Sequence, residues 1–214
     1  MAQRVSPPGR VLGVDLAPEL LEGARQKADA AGLTHVEFRE GDAQRLDVGD
    51  QVFDVVFCAS ALFIIPDMLA ALREWHRVLK PGGHVGFSGF GATFRQPLAD
   101  LWTARLRQYG VSLPMVALAQ RLAEPETCRR LLQEAGFVHT EVQSEQLGYY
   151  CRTVEEYWEE VWAGPGRMAV LQLAPAQREQ LQAEHLAEVQ GLVTDQGIWV
   201  DVPVHFAHGW KRSA

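Results

Sequence analysis

Cysteine is scarce: Cys58, Cys128 and Cys151 are the three in a chain of 214 residues. An odd number with no Cys-x-x-Cys pair argues against a disulfide framework and a zinc knuckle, and makes a reducing, cytoplasmic setting the expectation. Long hydrophobic runs are missing too. The longest, near Val55–Ile65, is interrupted by Ser60 and closed by Pro66, too short to span a bilayer, and the opening residues 1–10 hold no apolar signal core. No membrane partner is expected. Basic excess is also absent, since 20 Lys and Arg face 27 Asp and Glu for a net charge of −7, which disfavours binding to a phosphate backbone. Nucleic acid is therefore not expected as a partner. What remains is 47% hydrophobic and 22% charged, without repeats or low-complexity tracts, and reads as one domain over residues 1–214 with a substantial core.

The first ninety residues alternate strand and helix. After a turn at Pro7–Gly9, a short apolar run from Val11 to Leu16 carries Asp15 near its end, and Pro18 opens a helical segment through Ala31. Val36-Glu37-Phe38-Arg39 alternates and runs into Gly41-Asp42. Phe53–Cys58 is apolar enough to be a strand buried on both faces. Pro66-Asp67 then opens a helix over Met68–Leu79, with Leu69, Leu72, Trp75 and Leu79 at helical spacing, and Lys80-Pro81-Gly82-Gly83 stops it before a strand at 84–89. Such alternation predicts an open α/β sheet of parallel strands covered by helices, with ligands beyond the carboxyl ends of the strands.

Beyond residue 90 the pattern is less regular. Helices are expected at Pro97–Tyr109 and Pro125–Ala135, and a strand near 138–148. Residues 153–192 should form a helical insertion lying over the strand ends as a lid. A last, antiparallel strand is expected at 198–206, where Ile198, Val200, Val202, Val204 and Phe206 share one alternation and Pro203 demands a bulge or an edge.

An acid closing a first strand can accept two hydrogen bonds from vicinal ribose hydroxyls, and Asp15 stands there; the plainer alternative is a cap for the helix that follows. Asp42, after a glycine that permits a tight turn, can accept from an amine or act as a turn residue. Their order matters more than either alone. Gly13-Val14-Asp15-Leu16-Ala17-Pro18-Glu19-Leu20-Leu21, then Glu40-Gly41-Asp42-Ala43, Phe53-Asp54-Val55-Val56 and Leu79-Lys80-Pro81-Gly82-Gly83 together resemble the class I S-adenosylmethionine-dependent methyltransferases, methyltransferase type 11 domain. The variety that the resemblance suggests is the small-molecule group that includes ubiquinone and menaquinone C-methyltransferases. The resemblance implies a Rossmann-like sheet flanked by helices, with residues 1–90 as a cofactor half and 91–214 as a substrate side. It implies S-adenosylmethionine as cofactor, with Asp15 and Leu16 at its ribose, Asp42 and Ala43 beside its adenine, and backbone near Cys58 at its methionine moiety. The family's opening strand and Gly-x-Gly-x-Gly turn have no counterpart before Asp15, so the sheet is expected to be N-terminally incomplete.

For the acceptor, Phe63 and Ile64 stand where related enzymes often carry histidines, which predicts an apolar mouth and a small, largely apolar substrate. Tyr157 and Trp158, with Tyr149, Tyr150 and Trp162, are candidates for a hydrophobic lid, against plain core packing of an amphipathic helix. His205 and His208, three apart on a strand, face opposite sides and should not share a metal. Cys58 reads as a buried, inert thiol. No catalytic side chain is assigned, because transfer from a sulfonium depends on alignment and exclusion of water more than on an acid or base. A second reading is a non-catalytic module whose exposed strand edges would favour a homodimer. A third, a nicotinamide-dependent oxidoreductase, leaves Gly41-Asp42-Ala43 and Lys80–Gly83 unexplained.

Overall fold

The computed structural model describes residues 5, 9–113 and 115–213; Pro7 and Pro8 of the expected opening turn lie outside them. The chain opens with β1 (Val11–Asp15), α1 (Pro18–Ala30) and β2 (Val36–Glu40). Pro18 in the first turn of α1 has no N–H to leave unpaired, while Glu19 at one end and Lys27 at the other suit the helix dipole. The two strands pair in parallel, Val11 opposite Val36 through Asp15 opposite Glu40.

The chain continues with β3 (Phe53–Cys58), α2 (Met68–Val78) and β4 (Leu79–Phe90). Helix α2 is capped by Asp67, whose carboxylate accepts from the Ala70 N–H at 2.9 Å, and it buries Ala71, Leu72, Trp75 and Val78 on one face. Next come α3 (Leu98–Gln108), α4 (Met115–Ala119), α5 (Pro125–Glu134), β5 (Val138–Gln146) and β6 (Tyr149–Cys151). The insertion is α6 (Val154–Ala163), α7 (Gly166–Val170) and α8 (Pro175–Gln190), after which β7 (Ile198–Val200) and β8 (Pro203–Trp210) close the chain. The main sheet has the order β3-β4-β8-β5, with β3 parallel to β4 and β8 antiparallel to both its neighbours.

Three expectations need correction. Strand β4 begins at Leu79, directly after the helix, so Lys80–Gly83 forms an irregular strand entry rather than a separate turn, with a register shift opposite Phe53–Val55. Lys211 makes this tight junction tolerable, because its ammonium donates to the His76 and Leu79 carbonyls at 2.8 Å each. The expected strand at 198–206 is two strands. Ile198–Val200 pairs with β6, whereas Pro203 takes the first position of β8, where a missing N–H costs no ladder bond. Asp201 fixes the corner between them, accepting from Thr93 Oγ1, Gln146 Nε2 and Trp199 Nε1. Finally, β3 is not buried on both faces: Val55 is 53% and Phe57 46% exposed.

Among the described residues β3 pairs with β4 on one edge, β1 pairs with β2 on one edge, and no ladder joins β1 to β3. Two apolar cores result. One packs α2 and α5 on the main sheet through Leu72, Trp75, Phe87 and Leu132; the other joins α3, α6, α8 and β7 through Trp102, Tyr157, Leu181 and Ile198. Neither contains a residue from the segment 11–40.

Candidate active site

The carboxyl ends of β1 and β2 are tied together by a hydrogen bond. The Gly41 N–H donates to the Asp15 carbonyl at 3.0 Å, joining the ends of β2 and β1. Asp15 Oδ1 accepts from the Ala17 N–H at 2.9 Å, which turns the chain toward α1 and leaves Oδ2 unengaged among the described residues. Leu16 beside it is 68% exposed. In the turn after β2, both carboxylate oxygens of Asp42 accept from Gln44. The Gln44 side-chain carbonyl in turn accepts from the Asp67 N–H at 3.0 Å, next to the segment that follows β3.

Helix α2 holds this turn from below. Trp75 Nε1 donates to the Ala43 carbonyl at 3.0 Å, and Glu74 accepts from the Leu46 N–H at 2.7 Å. The Arg77 fork reaches the Leu46 and Val48 carbonyls and the Glu74 and Asp50 carboxylates. Its hydrogen bond to Glu74 holds that carboxyl below the usual range. The position of Ala43 is thus set by a buried indole and a charged clasp, neither of which the local sequence advertised.

Past β3, Cys58 is half-buried, and burial pushes its thiol up from the ordinary value, which does not favour a nucleophilic thiolate. Ser60 takes a left-handed backbone (φ 48°), with its N–H donating to Ser88 Oγ at 3.0 Å. A short turn at Leu62–Ile64 follows, with Phe63 buried and its ring 5.6 Å from that of Phe90. Arg121 braces the turn, donating to the carbonyls of Phe63, Ile65 and Pro66 at 2.7–2.9 Å.

Above the ends of β3 and β4 lies a cavity of about 360 Å³, walled by Phe63, Ile64, Phe90, Phe94, Trp102 and Tyr157. Its side-chain polar groups come from Ser60, Arg95, Gln120 and Glu160. Helix α6 forms one wall through Tyr157, Glu160 and Val161, beside the carboxyl ends of β3 and β4. Tyr157 is buried, and its hydroxyl is 3.0 Å from Nε2 of the buried His185 on α8. Phe63, Ile64 and Tyr157 thus come together. Trp158 does not join them: it packs edge-on against Trp102, with ring centres 6.1 Å apart, on the side of the second core. The helical period explains the difference, since neighbouring positions on α6 are turned about a quarter of the way round the axis from each other. Of the other lid candidates, Tyr150 packs on Trp199 and Trp162 lies under Arg167.

No cluster of three metal-ligating side chains occurs among the described residues. His205 bonds Ser144 Oγ and the Ala123 carbonyl, while His208 stacks on His84. No helix among the described residues is long and apolar enough to cross a membrane.

Residues 1–87 match the methyltransferase domain family. Over 85 residues the chain is 40% identical to a demethylmenaquinone methyltransferase of Listeria welshimeri, a match that covers 40% of this chain and 36% of that protein. The chain thus spans little more than a third of the length of this relative. Among solved structures, the YcgJ protein of Bacillus subtilis superposes with a TM-score of 0.63 at 21% identity, covering 96% of this chain and 83% of that one. Phosphoethanolamine N-methyltransferase 2 of Haemonchus contortus, in complex with phosphomonomethylethanolamine and S-adenosylhomocysteine, gives 0.55 at 19% identity over 95% of this chain and 43% of its own. The fold is a Rossmann-like α/β fold shared with these solved structures, and the segment 1–87 is similar to the methyltransferase domain family.

Proposed function

We propose that this protein transfers a methyl group from S-adenosylmethionine to a small, largely apolar acceptor seated in the cavity beside α6. The observation that carries the reading is the cavity itself, apolar on most sides and placed where the ends of β3 and β4 meet the insertion. Asp15 fits the cofactor's ribose, because one carboxylate oxygen orients the chain and the other remains to accept from a diol. Leu16 and the braced turn at Asp42 and Ala43 would border the nucleoside, with the backbone at Cys58 nearer the methionine end. When bound, the cofactor supplies a methyl group activated by a sulfonium. The chain's own work is to position the acceptor between Phe63 and Tyr157 and to exclude water with apolar walls. The net charge of −7 and the apolar cavity both favour a small molecule over a polynucleotide. The name of the Listeria relative is consistent with an apolar acceptor.

The test is a two-part measurement. Calorimetry with S-adenosylmethionine and S-adenosylhomocysteine reads the cofactor site, and a screen of phenols, quinols, amines, peptides and oligonucleotides reads the acceptor through release of the demethylated cofactor. Turnover on phenols or quinols supports the reading. Turnover confined to peptides or oligonucleotides, or none at all with the cofactor bound, refutes it.

A further inference from the structure

The cavity has one polar feature that plain apolar recognition leaves unexplained. Arg95, just before α3, and Glu160, on α6, both line it and face each other, with Arg95 Nη2 at 3.3 Å from Glu160 Oε2 and both side chains less than a third exposed. A charged pair in such surroundings is costly unless its hydrogen-bonding capacity is used.

The two partners differ in how far that capacity is spent. Glu160 is nearly saturated: the Tyr149 hydroxyl donates to Oε2 at 2.7 Å, the Cys151 thiol donates to Oε1 at 3.1 Å, and Arg95 adds a third donor. Burial, reinforced by the Glu160 charge, pushes the Tyr149 hydroxyl and the Cys151 thiol each up to about 12, so both keep their protons and remain donors. Arg95 is the reverse case. A guanidinium has five N–H donors, and among the described residues its side chain makes one hydrogen bond, to Glu160. Its backbone is fixed as well. Arg95 sits in the left-handed region at φ 57°, its N–H donates to the Asp201 carbonyl at 2.7 Å, and its carbonyl accepts from the Ala99 N–H at 2.7 Å. Asp201 is itself held by three side chains. The result is a donor anchored at its backbone and steadied by Glu160, with N–H groups that no other described residue takes up, on an apolar wall.

We propose that Arg95 is a specificity-determining residue that grips an oxygen acceptor, a carbonyl, phenolic or carboxylate oxygen, on an otherwise apolar ring, and that Glu160 is its positioning residue. The inference rests on the cavity being the acceptor site. An ammonium group is disfavoured there, because the one carboxylate in reach is already bonded by three donors and the unused groups are all donors on a cation. The apolar ring would lie against Phe94, Trp102 and Tyr157, leaving its oxygen to meet the fork.

The test needs no cofactor. Calorimetry on the full chain uses four probes of one shape: 2-naphthoate, 2-acetonaphthone, 2-ethylnaphthalene and 2-naphthylmethylamine. The two oxygen-bearing probes should bind at least tenfold more tightly than 2-ethylnaphthalene, and the amine more weakly than either. Arg95→Met should abolish that preference while holding 2-ethylnaphthalene within threefold of the parent. Glu160→Gln provides a second arm that does not depend on the folding of Arg95→Met: it keeps the fork but unmasks its charge, and should shift the ratio of naphthoate to acetonaphthone affinity at least threefold toward naphthoate. An oxygen preference that survives Arg95→Met, or a ratio that Glu160→Gln does not move, overturns the role of Arg95. If the parent binds the neutral naphthalenes without preference, the specificity falls and the cavity reading stands; if it binds none of the four, the cavity reading falls with it.

Discussion

His185 makes the second core sensitive to acid, and the size of the effect follows from its surroundings. The imidazole is fully buried between α3, α6 and α8, with its ring centre 4.9 Å from that of Trp102 and Nε2 bonded to the Tyr157 hydroxyl. Among the described residues Nδ1 has no hydrogen-bond partner, and the Glu188 carboxylate stands 3.9 Å away. Burial is the largest influence, with Arg105 adding to it and Glu188 opposing, and together they bring the group down from its ordinary 6.5 to about 4. The unfolded chain therefore binds this proton more readily than the folded one. Stability from keeping His185 neutral is complete above pH 6.5 and is lost progressively as pH falls from there toward 4. Each tenfold step in proton affinity is worth about 1.4 kcal/mol, so the loss approaches about 3 kcal/mol at the acid end. In urea titrations at pH 7.5, 6.0, 5.0 and 4.5, the parent should lose stability more steeply than His185→Gln, the gap between the curves closing by about 2 kcal/mol or more. Because Tyr157 lines the cavity, binding of an apolar probe should weaken as pH falls through about 4, where the folded protein itself takes up this proton. Parallel stability curves for parent and variant would show that His185 does not titrate as its burial requires.

Three further outcomes are expected. Asp15→Ala should cost about 1.5–3 kcal/mol of S-adenosylmethionine affinity by calorimetry, the scale of hydrogen bonds to a charged group, and unchanged affinity would remove Asp15 from the site. Arg121→Ala should strip three carbonyls of their donor and destabilise the chain by about 2 kcal/mol, with faster amide exchange at Ile64 and Ile65; protection equal to the parent would show that the 62–66 turn holds itself. Gly89→Ala places a Cβ 2.8 Å from that of the buried Leu122 and should cost about 1–3 kcal/mol in a urea titration, whereas Gly23→Ala on α1 meets nothing within 4 Å and should gain a few tenths to about 1 kcal/mol; equal effects would contradict the packing at Gly89.

The elements that a single stretch of chain can specify were legible before any coordinates. Pro18, the apolar spacing from Leu69 to Trp75 and the apolar run at Phe53–Cys58 each carry a local signal, and β1, α1, β2, β3 and α2 lie close to where those signals put them. The polar machinery of the cavity was not legible. Arg95 and Glu160 are 65 residues apart, Arg121 meets carbonyls more than 50 residues away, and His185 joins Tyr157 across 28, so no periodicity links them. A partial clue existed in Glu160, three positions after Tyr157 and therefore on the same face of α6. The alternation at Ile198–Phe206 misled for a related reason: side-chain period is preserved when a strand ends at Val200 and another starts at Pro203, and only the partners reveal the change of sheet. Likewise, an apolar strand is buried only where both its faces are covered, and Val55 and Phe57 share a face that belongs to neither core, whereas Val56 and Cys58 pack on the first.

Among the described residues no ladder joins β1 to β3, and this gives any ligand of the site a second job. The segment 11–40 shares neither core and communicates with the rest through the Gly41–Asp50 connection and its clasp on α2. A molecule that touched Asp15 on one side and the turn after β3 on the other would act as a rivet between two plates, and its binding energy would become cohesion. At a free concentration one hundred times its dissociation constant, such a rivet adds about 2.7 kcal/mol against unfolding. Occupancy of the site would thus be readable as a rise in melting temperature, and most sharply as slowed amide exchange along β1 and β2, far from the cavity in which the acceptor sits.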